Sequence, residues 1–137
     1  MRWVTRSRMH VDRTACAWLI RAYIDPAAEF VFVTDIEHLP DDAMPFDIAG
    51  QPFSHHNGSC TFEVLVAHYA LTEPALAVLG RIVHEADIED ERYDAPEAAG
   101  LDAIIRGMGR RLDDDALLAA TAPIYDGLLA TLKAPAS

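Results

Sequence analysis

Apolar residues follow two different periods along the chain, and the change between them falls near its first third. The early part contains short extended stretches, of which residues 29–34 (EFVFVT) are the clearest strand because they are β-branched and aromatic. Residues 3–5 and 46–48 are shorter strand candidates. Between the first two strands, apolar positions at i, i+3, i+4 and i+7 predict a helix that begins near Asp12, which can cap its first turn.

The remainder of the chain carries the helical period almost throughout. Four further helices are predicted, one over about 61–69 and three whose starts are marked by Pro74, Asp94 and Asp113. Pro123 lies inside the last pattern and is expected to kink that helix or split it in two. This order of elements predicts a single α+β domain over residues 1–137, with a small N-terminal β-sheet and a predominantly helical C-terminal part.

The chain is acidic, with 22 aspartates and glutamates against 11 lysines and arginines and a formal net charge of −11. That field opposes binding to nucleic acid and to anionic membrane surfaces. No apolar run is long enough to span a membrane, and the N-terminus lacks the apolar core of a secretory signal, so a cytoplasmic protein is expected. Cys16 and Cys60 do not make a disulfide framework; Cys16 is predicted to be buried and Cys60 the more exposed of the two.

Histidines and acids in two segments predict a metal site. His84 and Asp87 are three residues apart in a predicted helix and therefore share one face of it. The loop before another helix contains His55, which follows Phe53 by two and so points to the same inward side, and Glu63 lies in the first turn of that helix. Imidazole and carboxylate together suit Zn(II), Fe(II) or Mn(II), so His55, Glu63, His84 and Asp87 are the predicted ligands of one shared cation. The alternative is that these histidines are ordinary residues and that the glutamate only caps its own helix.

Arginines are concentrated at the N-terminus. Residues 1–21 hold five arginines and one acid, whereas the rest of the chain is strongly acidic. Arg6, Arg8, His10 and Arg13 flank the start of the first helix, where free backbone N–H groups and guanidinium forks together suit an oxyanion. These residues are the predicted site for a small anion or small-molecule ligand. The alternative is that these arginines form ion pairs with the acidic remainder of the chain. Assembly into a homo-oligomer is compatible with the sequence.

Several blocks of the sequence resemble the C-terminal domain family of chromate resistance protein B (ChrB). They are WVTR, HVDRTACAWLIRAYIDPAAEFVFV, PFDIAGQPFSHHNGSCTFEVL, RIVHEAD and PEAAGLDAIIRGM, in this order. The resemblance covers roughly residues 2–130. The chain is similar to the stand-alone form of the family, without the N-terminal regulatory region that many members carry. The resemblance implies an association with chromate resistance, and its pattern includes His55, Glu63, His84 and Asp87. A DNA-binding role is not implied for this form.

Three functions are compatible with the sequence. The first is a chromate-resistance-associated domain that binds a metal or an oxyanion through a histidine–carboxylate site. The second is a small mononuclear metalloenzyme that uses zinc, iron or manganese on an unknown small substrate. The third is a structural protein in which the histidines are ordinary. The first two depend on one spatial expectation, namely that the imidazoles of His55 and His84 meet around one ion.

Overall fold

The computed structural model describes residues 1–8, 10–88 and 92–134. Three parallel strands form a sheet in the order β2-β1-β3, with β1 at Arg2–Arg6, β2 at Glu29–Val33 and β3 at Ala43–Pro45. Parallel neighbours require a crossover connection. Helix α1 (Val11–Leu19) and the π-helical turn that extends it, Ile20–Ile24, supply this connection between β1 and β2.

Four more helices follow in the described part of the chain and confirm the predicted α+β class, with its small N-terminal sheet and helical C-terminal part. They are α2 (Thr61–His68), α3 (Pro74–Asp87), α4 (Ala98–Gly109) and α5 (Asp114–Lys133). Helix α1 packs against all four of them, so it lies at the centre of the domain. The largest fully buried side chains come from both the sheet region and the helices. Among them are Trp3, Leu19, Phe46, Phe62, Leu76 and Tyr125. Within the described residues, no helix has both the length and the apolarity that crossing a membrane requires.

The third strand does not lie where the sequence predicts it. The strand is Ala43–Pro45, whereas residues 46–48 were expected to form it. The Phe46 N–H still bonds to the Val4 carbonyl at 3.0 Å, but Asp47 has a φ of 52° and turns the chain away from the sheet. Pro45 is tolerated because β3 is an edge strand, where a missing N–H costs no ladder bond.

Helix α5 runs without interruption through Pro123, so the proline does not split it. Pro123 is exposed to solvent, which can satisfy the carbonyl that a proline leaves without its helical donor.

Parallel topology positions the candidate site. Strands β1 and β3 both end at the same side of the sheet because they run in one direction. Asp12 follows β1 and Asp47 follows β3. The segments beyond the carboxyl ends of parallel strands are where such sheets usually bind ligands.

Candidate functional site

Asp12 links the first two helices. It lies in the first turn of α1, its residue is 0% exposed, and His10 rather than Asp12 is the N-cap of α1. Its carboxylate instead accepts the backbone N–H groups of Thr61 and Phe62, both at 2.9 Å. The prediction that Asp12 caps its own helix is therefore wrong, because its side chain caps α2. A buried carboxylate requires such donors, and a helix N-terminus supplies them together with a favourable dipole.

Three carboxylates converge on His55. Its Nε2 lies 3.0 Å from Asp12 Oδ2, 3.5 Å from Asp87 Oδ2 and 3.6 Å from Asp47 Oδ1. We call these four residues the aspartate–histidine cluster. Arg13 adds a second cationic group, since its Nε donates to Asp47 Oδ2 at 2.9 Å. Three carboxylates thus face two cationic side chains, which leaves an excess of negative charge if all are ionised.

Burial and mutual repulsion set the electrostatics of this cluster. Burial, together with the neighbouring Asp12 charge, raises the pKa of Asp47 to about 6. Burial, together with the Asp12 and Asp47 charges, raises the pKa of Asp87 to about 6 as well. The hydrogen bond to Asp12 raises the pKa of His55 to about 8, against the opposing effect of burial. The cluster therefore holds protons more tightly than its separate groups would in water.

Glu63 and His84 form a second set of contacts with Cys60. His84 Nδ1 lies 2.6 Å from Glu63 Oε1, and the Cys60 backbone N–H donates to the same oxygen at 3.1 Å. Tyr93 donates its hydroxyl to Glu63 Oε2 at 2.9 Å. Burial acts to raise the pKa of Glu63, but the hydrogen bonds from His84, Cys60 and Tyr93 hold it below its usual value. Cys60, Glu63 and His84 are called the cysteine–glutamate–histidine group below.

Gly80 of α3 lies against the first turn of α2. A Cβ placed on Gly80 would lie 3.4 Å from both Glu63 Cγ and Phe62 Cδ1. These are van der Waals distances, so α3 packs closely on the first turn of α2, beside the contact between Glu63 and His84.

The four predicted metal ligands are divided between two places. His55 and Asp87 lie with Asp12, and the ligand atoms of these three residues are within 4.8 Å of one another. His84 and Glu63 lie instead with Cys60, at mutual distances within the same limit.

Asp12, Asp47 and Cys60 were not among the predicted site residues. Cys60 was expected to be the more exposed cysteine, but it is buried like Cys16. Knowledge that β1 and β3 are parallel would have pointed to the two aspartates, since each follows a strand that ends at the same side of the sheet. The strand candidates gave no indication of their relative direction, so this signal was not readable.

The predicted anion-binding residues line two cavities, each of which also contacts part of the aspartate–histidine cluster. Arg6 and Arg13 line a cavity of about 300 Å³ that also contacts Asp47 and His55. Arg8 and His10 line a larger one of about 570 Å³, whose wall includes the following further charged residues: Asp87, Asp102, Arg106 and Arg110. Arg106 and Arg110 were missed because nothing in their local sequence distinguishes them from ordinary surface residues.

Comparison with known proteins agrees with the quoted motifs. A family model described as "ChrB, C-terminal domain" matches residues 3–132. Protein ChrB of Cupriavidus metallidurans is 42% identical over 135 residues, which are 97% of this chain and 41% of that protein. The chain thus spans about two fifths of the length of this relative. No solved structure matches the chain. Because the family model covers nearly its whole length, the chain belongs to the ChrB C-terminal domain family.

Proposed function

We propose that this protein is a chromate-resistance-associated binding domain that holds a divalent cation at Asp12, His55 and Asp87. The family supports the association with chromate resistance. The observation that carries the cation site is the approach of His55 Nε2 to carboxylates from α1, the segment after β3 and α3. Zinc, iron(II) and manganese(II) all accept mixed imidazole and carboxylate ligands.

The spacing of the ligand atoms suits such an ion. A tetrahedral ion with bonds of about 2.1 Å places neighbouring ligand atoms about 3.4 Å apart. His55 Nε2 lies 3.5 Å from Asp87 and 3.6 Å from Asp47, and only its 3.0 Å contact with Asp12 is shorter. A cation would also offset the excess of carboxylates, and it would displace the protons that they hold.

A small oxyanion is the second ligand that we propose. His55 faces the smaller arginine-lined cavity and Asp87 faces the larger one, so an anion in either would lie beside the cation. Guanidinium groups bind tetrahedral oxyanions through paired N–H donors. Chromate and sulfate have this shape and charge.

Metal titration tests the cation site. We expect the metal-stripped, untagged protein to bind Zn(II) or Mn(II), measured by calorimetry and elemental analysis. His55→Ala and Asp87→Asn should each weaken binding at this site about tenfold or more, as loss of a first ligand or its partner does. His38→Ala is the matched control, because His38 contacts Asp35 at 2.6 Å in an exposed pair on the surface. Unchanged affinity in both cluster variants would exclude the site.

Anion titration tests the arginine-lined cavities. We expect sulfate and chromate to bind the metal-loaded protein. Arg6→Gln or Arg106→Gln should weaken the binding of one or both anions about fivefold or more, since each variant removes one charge-assisted contact. Arg2→Gln makes the same change of charge at an exposed pair with Asp42 and should leave the affinity unchanged. Equal loss in all three variants would indicate only a general field effect.

A small mononuclear metalloenzyme is the alternative function, favoured by the exposure of His55. Its side chain is 45% exposed and borders an open cavity, so a cation there would retain room for water or substrate. Catalytic metal sites keep such an open position. Turnover that requires the cation and disappears in His55→Ala would establish this alternative.

A further inference from the structure

We infer that the cysteine–glutamate–histidine group is a second, separate cation site that selects a thiophilic ion such as Zn(II). It does not depend on the cation site at His55. Cys60, Glu63 and His84 offer a sulfur, a carboxylate oxygen and an imidazole nitrogen, all within 4.8 Å of one another. Sulfur and nitrogen donors together favour zinc and other soft or borderline ions over manganese and magnesium.

The local fold fixes all three side chains. Cys60 is the N-cap of α2 and Glu63 lies three residues later, so both side chains stand at the same helix end. His84 comes from the packed neighbour α3 and is 0% exposed, as is Cys60. The carboxylate is oriented by Tyr93, which donates to its second oxygen. A hydrogen-bonded partner of this kind is what orients carboxylate ligands in known metal sites.

The contacts now present show where an ion would enter. His84 Nδ1 and Glu63 Oε1 are 2.6 Å apart, which is a hydrogen-bond distance. A tetrahedral ion with bonds of about 2.0 to 2.3 Å separates its ligand atoms by about 3.3 to 3.8 Å. The ion would therefore replace the shared proton and move these two atoms apart by roughly 1 Å. The Cys60 thiol would lose its proton on binding, as coordinating thiols do.

A cavity borders this group at Glu63. This cavity of about 230 Å³ reaches Glu63 and Tyr93 and is otherwise lined mainly by apolar residues of α2 and α3, such as Leu76. Its apolar wall would limit the access of water and strengthen the attraction between the ion and its anionic ligands.

Cobalt titration tests this inference, because only a thiolate ligand gives Co(II) a sulfur-to-metal charge-transfer band in the near ultraviolet. We expect the untagged, metal-stripped protein to develop this band and Zn(II) to remove it by competition. Cys60→Ser should abolish the band, and Glu63→Gln should weaken Co(II) binding about tenfold or more. Cys16→Ser tests the other buried thiol, which donates to Asp12 Oδ1 at 3.4 Å, and the band should persist in this variant.

His55→Ala separates this site from the one proposed at the aspartate–histidine cluster. The charge-transfer band should persist in His55→Ala, whatever that variant does to the other site. Circular dichroism identifies any variant that fails to fold, and Glu63→Gln then serves in place of Cys60→Ser. Absence of the band in the wild-type protein, or its persistence in folded Cys60→Ser, would overturn the inference.

Discussion

Replacing Asp12 by alanine is expected to lower the free energy of unfolding by about 3 to 5 kcal/mol, measured by urea denaturation in the presence of a chelator. The carboxylate is 0% exposed and accepts the N–H groups of Thr61 and Phe62, two residues that are also buried. Without it, both donors remain buried without an acceptor, and His55 loses its closest acidic partner. The chelator removes any contribution from bound cations, so the loss reports the fold alone.

A second capping aspartate provides the control. Asp113 is the N-cap of α5 and accepts the Ala116 N–H at 2.9 Å, but this contact is exposed. Asp113→Ala should cost only about 1 kcal/mol, as is usual for an exposed cap. If Asp12→Ala costs no more than Asp113→Ala, then Asp12 does not support the fold in the way described.

The metal-free protein is expected to lose stability as the pH rises from about 4 to about 8. Folding raises the pKa of Asp47 and of Asp87 from 3.8 to about 6, and that of His55 from 6.5 to about 8. A group whose pKa is raised by folding stabilises the native state below its unfolded pKa, and this stabilisation is lost as the pH passes the folded pKa. The aspartates therefore act between about pH 4 and 6, each by up to about 3 kcal/mol. The histidine, whose half-exposed ring is screened by solvent, adds a smaller loss between about pH 6.5 and 8.

Denaturation curves at a series of pH values measure this effect. Asp87→Asn should flatten the fall between about pH 4 and 6, because it removes one of the two carboxylates responsible. Asp35→Asn is the control, since its hydrogen bond from His38 lowers the pKa of Asp35 and confines its influence to acid conditions. A stability that is constant or increases over this range would contradict the electrostatics described for the cluster.

The fold was largely predictable from local patterns, and the exceptions have local causes. Helices α2 to α5 follow from apolar positions at the helical period and from start signals such as Pro74 and Asp113. The third strand was placed three residues too late because the apolar residues Phe46 and Ile48 belong to the core without belonging to the strand. Their burial is real, but the left-handed conformation of Asp47 between them cannot be read from composition.

The residue types of the candidate site were predictable from the sequence. The division of the four predicted ligands between two separate groups was not. His84 and Asp87 do share a helix, yet one turn of α3 is enough to place them against different neighbours. Asp87 meets the start of α1 and His55, whereas His84 meets the start of α2. Helical spacing places both residues on one side of α3, but the packed neighbours decide which groups each will contact.

The sequence by itself determined the family, the α+β class and the kinds of side chain available for chemistry, because these depend on local periods and motifs. Only the tertiary structure decided that Asp12 and Asp47 join His55 and that Cys60 joins Glu63 and His84. It also decided that Arg106 and Arg110 line one cavity with Arg8. The physical reason is that these contacts connect residues far apart in the chain. Their distances are set by the parallel sheet and by the packing of α1 among the other helices, and neither is encoded in any short segment.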